Sequence, residues 1–220
     1  MDDVDNEALT RRAGREPHGN AARLRREELD LTAWELARRL VGVALLCEDA
    51  GGIIVETEAY ARDDAASHSF RGPTPRNRSM FAGPGAVYVY RSYGLHWCFN
   101  IVARDAGAVL IRAIEPRWGL DLMRLRRGRS DHLADGPGRL AEALAIDIAH
   151  DGADVTAAPF ALLDRAVEPL VLTGRRIGIS QERERPWRFA LAGSPWLSRA
   201  LTAAEPTPHA APHETGEARS

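Results

Sequence analysis

The sequence contains no lysine, so all 29 of its Lys/Arg cations are arginine. That absence removes whole chemistries. No side-chain amine is present to form a Schiff base, and no Gly-rich phosphate loop can end in Lys-Ser or Lys-Thr. Cysteine is scarce as well. Cys47 and Cys98 are the only 2, and they form no C-x-x-C motif. A reducing cytoplasmic setting without a disulfide framework is expected. No apolar run approaches the roughly 18–20 residues of a membrane span; LVGVALLC, from Leu40, is among the longest. The first residues, MDDVDNEALTRR, are acidic and polar, so no secretory signal is expected there.

Other classes fail for want of their residues. No G-x-G-x-x-G follows a strand-like segment. His96 and Cys98 are not joined by a second His/Cys pair at ligand spacing, so no metal site is expected. Ser67-His68-Ser69 lacks a nucleophile-elbow context. HET, from His213, matches part of a deaminase signature, but no cysteines follow it.

At 220 residues the chain is most naturally one domain. Residues 1–22 and 203–220 mix charge, Pro, Gly and Ala without periodicity and are expected to be disordered. The domain is expected over 23–202. The net charge of −2 conceals a pattern, for residues 59–139 carry +6 while the segments before and after carry −5 and −3. An Arg-rich middle suits a polyanion, because guanidinium forks bind phosphate bidentately. It equally suits a solvated surface in a chain whose only long cation is arginine.

Thr32 followed by Glu35 is a capping box for a helix whose face holds Trp34, Leu36 and Leu40. Strands are predicted at Val43–Glu48, Ile53–Tyr60, Ala86–Tyr90, His96–Val102, Ala108–Glu115, Arg176–Ile179 and Arg188–Leu191, with a turn at Asp49–Gly52. Helices are predicted at Leu120–Arg127 and Arg139–Ala145. Without regular βαβ alternation, these elements imply α+β, a single domain with a mainly antiparallel sheet and short helices.

The strand IIVETEAY, Ile53 to Tyr60, poses the functional question. Strand alternation puts Ile54, Glu56, Glu58 and Tyr60 on one face and Ile53, Val55, Thr57 and Ala59 on the other. Half-exposed strands routinely carry Glu on their wet face, so the acids alone establish nothing. Other groups gather around the basic segment. Tyr88 and Tyr90 share a strand face, Tyr93 follows at a turn, His68 lies in the preceding loop, and Asn100 ends YGLHWCFN. Aromatic walls can grip a base drawn out of a duplex while arginines hold the backbone.

Taken in order, VETEAY, HS, TPRN, MF, PG, YVY, YG, LIRAIEP, GPG-R-L and GSPW resemble the alkyladenine (3-methyladenine) DNA glycosylase family. The resemblance runs from about Thr32 to Ser198 and is most specific between Val55 and Pro116. It implies a curved sheet, no cofactor, a monomer with no membrane association, and a partner that is double-stranded DNA containing damaged purines. It also implies residue roles. Glu58 would activate water against the sugar C1′ of a flipped nucleotide, with Arg112 near that water. Tyr60, His68 and Tyr90 would wall the base, and Asn100 would exclude the guanine 2-amino group. Tyr93 would wedge into the vacated stack, and Thr74, Arg76 and Met80 would flank or touch DNA. The chemistry agrees, since a carboxylate both stabilises a cationic sugar and deprotonates water.

Two departures stand out: a slightly shorter loop before His68, and Arg91-Ser92 where relatives are often apolar. Without lysine, the enzyme should be monofunctional, releasing base without cutting the backbone. GPGRLAEALAI also invites comparison with helix-hairpin-helix glycosylases, but Leu140 stands where their motif needs glycine. A rival of another class is a non-catalytic DNA-binding module with an Arg-rich face.

Overall fold

The structure is a computed structural model that describes residues 21–201. The expected loose tail over 203–220, and all but Ala21 and Ala22 of the expected arm, lie outside the described residues.

Helix α1, Ala33–Leu40, begins at the capping box. The Thr32 hydroxyl accepts the Glu35 N–H at 3.3 Å, and the Glu35 carboxylate accepts the Thr32 N–H at 3.0 Å, which satisfies two otherwise orphan donors. Leu36, Ala37 and Leu40 are buried, and Trp34 meets Phe189 edge-on at 5.6 Å. Burying each of the leucines is worth about 1.5–3 kcal/mol.

Strand β1, Ala44–Cys47, turns at Glu48-Asp49 into the long β2, Ala50–Tyr60. The turn is thus tighter than Asp49–Gly52, and Gly51 and Gly52 belong to β2. Both are needed there for close approach. A Cβ on Gly51 would stand 2.5 Å from the Leu45 carbonyl oxygen, and one on Gly52 only 2.1 Å from that of Glu115. The remaining strands are β3 (Val87–Ser92), β4 (His96–Val102), β5 (Ala108–Trp118), β6 (Phe160–Leu163), β7 (Val171–Gly174) and β8 (Arg188–Leu191). Helices α2 (Leu120–Arg127) and α3 (Pro137–Ala143) follow β5. Among the described residues, no helix is long and apolar enough to cross a membrane.

The sheet runs β3-β4-β5-β2-β1-β6, with β8 joining β2 to β7, and every pairing is antiparallel. It is curved, and the α+β expectation holds. Two strands escaped the sequence reading, β6 and β7, and one expected strand does not form. Residues 176–179 are irregular, and the Ile177 N–H goes to the Glu58 carboxylate rather than to a strand ladder.

One edge of β2 pairs with β5 along most of its length, while the other changes partner from β1 to β8 near Val55. There the register slips. Ile54 faces Ile114 and Glu56 faces Ala113, leaving Val55 as the extra residue on β2. Glu56 faces Ala113 but Thr57 faces Ile111, leaving Arg112 as the extra residue on β5. Paired irregularities of this kind re-aim side chains. They also correct the simple alternation. Ile54 belongs to the main core together with Ala59 and does not share a face with Glu56 and Glu58. Thr57 faces the helix side, its hydroxyl donating to the Ala37 carbonyl at 2.8 Å.

Candidate active site

Directly paired residues in an antiparallel sheet project to the same face. The register therefore lays out one row across five strands: Arg188 on β8, Glu58 on β2, Leu110 on β5, Asn100 on β4 and Tyr88 on β3. A second row runs from Tyr60 through Ala108 to Val102. The opposite face holds Thr57, Ile111 and Phe189 against the main core. One face thus gathers residues from five strands, of which Leu110, Asn100 and Tyr88 line one concavity.

That concavity is a cavity of about 1220 Å³, lined by Tyr60, His68, Met80, Tyr88, Tyr90, Cys98, Asn100 and Arg112 among others. Tyr88 and Tyr90 stack with centroids 5.5 Å apart, and His68 meets Tyr90 edge-on at 4.5 Å. His68 Nδ1 and the Tyr88 hydroxyl share a hydrogen bond of 2.7 Å. Burial lowers the His68 pKa, which favours the neutral ring. Burial likewise holds the Tyr90 phenol far above its ordinary value. The loop before His68 delivers it to the tyrosines. Asn77 explains how: its amide donates to the carbonyls of His68 at 2.8 Å and Gly72 at 3.1 Å. Its side-chain oxygen accepts the Thr74 N–H at 2.6 Å and hydroxyl at 2.8 Å.

Glu58 is fully buried and lies immediately behind the cavity wall, not on its surface. Its Oε2 accepts the Tyr60 hydroxyl at 2.8 Å and stands 3.3 Å from Arg112 Nη1. Its Oε1 accepts the Ile177 N–H at 2.7 Å. Burial and then the Glu58 charge push the Tyr60 phenol well above its ordinary pKa, so Tyr60 stays a donor. Burial opposes the Arg112 charge, but Glu58 and Glu56 outweigh it and the guanidinium pKa is raised.

Glu56 has a different set of neighbours. Its Oε1 accepts from Arg112 Nε at 3.1 Å, Arg188 Nε at 2.7 Å and the Ser198 hydroxyl at 2.8 Å, while Oε2 accepts the Ser198 N–H at 2.6 Å. Both of its oxygens are engaged, and the Ser198 contacts tie the last described segment to β2. Asn100 is buried at the cavity wall and donates to the Tyr88 carbonyl at 3.0 Å.

The residues expected to meet DNA divide. Tyr93 is 86% exposed at the tip of the β3–β4 hairpin, where it and Gly94 have φ of 49° and 71°. Positive φ at both central residues is the hairpin-turn pattern that matches strand twist. Arg76 is exposed, as are Arg71, Arg78 and Arg91. Thr74 is engaged with Asn77. Met80 is buried beneath the cavity with Ala86, Tyr88, Val102 and Ala108, so it shapes the pocket from within. Sequence reasoning missed Ile177, Arg188, Ser198 and Asn77. Asn77 lay in TPRN and Ser198 just past GSPW, but nothing in the local pattern marks Ile177 or Arg188. Among the described residues, no group of three His, Cys, Asp or Glu side chains is placed to hold a metal ion.

A buried carboxylate clasped by a tyrosine, an arginine and a backbone amide, behind an aromatic-walled cavity on a curved antiparallel sheet, is the arrangement of a hydrolytic site beside a stacking surface for a flat ring. Residues 27–195 match the family model for methylpurine-DNA glycosylase (MPG). A protein from Rhodopseudomonas palustris (strain BisB18), provisionally named a 3-methyladenine DNA glycosylase, is 52% identical over 182 residues, covering 80% of this chain and 91% of its own. Similarly named proteins from Nitrosospira multiformis and Rhizobium meliloti are 56% and 52% identical over 170 residues, covering 75% and 76% of this chain and 88% and 92% of theirs. The chain belongs to the methylpurine-DNA glycosylase family, the hydrolases of N-glycosyl bonds that begin base excision repair. Membership decides against the non-catalytic binding module.

Proposed function

We propose that this DNA glycosylase flips alkylated or deaminated purines, of the 3-methyladenine, hypoxanthine and ethenoadenine type, out of duplex DNA and hydrolyses their N-glycosidic bond with Glu58 as general base. The observation that carries this reading is the Glu58–Tyr60–Arg112 cluster, with Tyr60 and Arg112 in the wall of the aromatic cavity and Glu58 directly behind it. The names of the relatives support 3-methyladenine as one substrate. Water attacks C1′, Glu58 takes its proton, and the C1′–N bond breaks with the electron pair leaving on the base. The sugar becomes cationic on the way, and the buried carboxylate stabilises it.

Tyr60, His68 and Tyr90 sandwich the extruded base, and alkylated, electron-poor purines gain most from aromatic faces. Asn100 excludes the guanine 2-amino group. Tyr93 fills the vacated stack, and Arg76 and Thr74 approach the backbone, while Met80 supports the pocket floor. The protein works as a monomer.

Duplexes carrying a single hypoxanthine or ethenoadenine, incubated with excess enzyme, test the reading. Free base and an alkali-labile abasic site are expected. No release from either would overturn it, and strand cleavage without alkali would overturn the monofunctional assignment.

A further inference from the structure

Arg176 and Asp64 form an ion pair in which both side chains are fully buried, and neither lines the cavity. An ion pair removed from water is costly unless its other donors are engaged; here both terminal nitrogens of Arg176 are, while its buried Nε has no hydrogen-bond partner. Arg176 Nη1 donates to the Asp64 carboxylate and to the Ala59 carbonyl, the latter at 2.8 Å. Nη2 donates to Asp64 Oδ1 at 3.2 Å and to the Glu182 carbonyl at 3.3 Å. The guanidinium carbon lies 4.6 Å from the centroid of the Tyr60 ring and 5.4 Å from that of Trp187.

These contacts converge on Glu58 from two sides. The carbonyl that Arg176 grips belongs to Ala59, the residue between Glu58 and Tyr60. The ring it backs is that of Tyr60, whose hydroxyl donates to Glu58 Oε2. The residue after Arg176 is Ile177, whose N–H donates to Glu58 Oε1. Both oxygens of the carboxylate are therefore held by groups that Arg176 fixes in place. Asp64, in the loop leading to His68, braces the guanidinium and ties that loop to the segment after β7.

We propose that Arg176, braced by Asp64, is a positioning residue for the hydrolytic step: it holds Tyr60 and the Ile177 amide so that Glu58 is aimed at the water. The proposal rests on the reading of Glu58 as general base. A simple staple between two loops would affect stability and DNA binding, but its effect on the chemical step would not depend on Glu58.

A double-mutant cycle separates the two. Single-turnover base release from hypoxanthine duplex is measured at saturating enzyme for wild type, Arg176→Met, Glu58→Gln and the double variant, with folding checked by circular dichroism. Arg176→Met should slow release about 10-fold or more while the half-saturating enzyme concentration stays within a few fold. In the Glu58→Gln background the same change should cost less than about 2-fold. Full multiplication of the two effects, or a loss seen only in half-saturation, overturns the proposal. Glu58→Gln releasing base at the wild-type rate would instead overturn the general-base reading itself. Should Arg176→Met fail to fold, Asp64→Asn, which preserves shape and removes the brace's charge, passes through the same cycle with the same criteria. Arg176→Lys, which keeps the charge and loses the fork, should not restore the rate.

Discussion

Glu56 and Glu58 are the same residue type two positions apart, and their neighbours give them different work. Glu58 touches one guanidinium, a phenol and an amide behind the cavity wall; Glu56 is saturated by two arginines and Ser198. Glu58→Gln should therefore leave lesion binding within a few fold and slow excision by about 10²–10⁴, the scale of a general base. Single-turnover kinetics at excess enzyme checks it; a rate near wild type would reassign the base. Glu56→Gln should weaken the fold more than the chemistry. It leaves Arg188 without its buried carboxylate while Arg112 keeps Glu58, a loss of about 3–5 kcal/mol by the usual scale for broken buried pairs, measurable by denaturant unfolding. Asn100→Ser opens the cavity wall opposite Tyr88, and the ratio of guanine to hypoxanthine excision should rise. An unchanged ratio would mean that guanine is refused by another contact.

At the scale of elements, β2 governs the site. Its first half is clamped between β1 and β5 by glycines that allow backbones to meet, and its second half, past the slip at Val55, carries the acids beneath the cavity. Gly52→Ala would force its Cβ onto the Glu115 carbonyl, so β2 and β5 would have to separate. A large drop in melting temperature with loss of excision is expected, whereas Thr32→Ala, which removes only the α1 cap, should cost about 0.5–2 kcal/mol and leave the excision rate of the folded enzyme unchanged. Melts and single-turnover rates on the two variants distinguish a strand that positions chemistry from a helix that supports it.

Over the whole molecule, Arg71, Arg76 and Arg78 are exposed, and Arg91 and the Tyr93 hairpin tip are exposed where they line the cavity. Flipping costs a few kcal/mol, and a ring placed in the emptied stack offsets part of it. Tyr93→Ala should weaken the flipped state, read by 2-aminopurine fluorescence beside the lesion, with nearly the same salt slope of binding. Arg76→Ala should flatten that slope by about one unit without changing lesion preference. Full flipping by Tyr93→Ala at wild-type affinity would remove the wedge role, and an unchanged slope would remove Arg76 from the phosphate contacts.

Much of this was legible in the residues alone. The capping box, the antiparallel character of the sheet, the spans of β4, α2 and β8, and the absence of any side-chain amine follow from local chemistry, because helix caps, strand alternation and inventory depend only on neighbours in sequence. The register did not follow. One extra residue on β2 and one on β5 decide that Ile54 leaves the face of the acids and that Arg112 turns between them, and such a slip is set by which strands pair. Nor could the chain show that residues 176–179 forgo a strand to hand an amide to Glu58, or that Asp64 and Arg176, 112 positions apart, neutralise each other. A buried charge is tolerable only beside its partner, and that partner exists only once the sheet has curved and closed the loops over it.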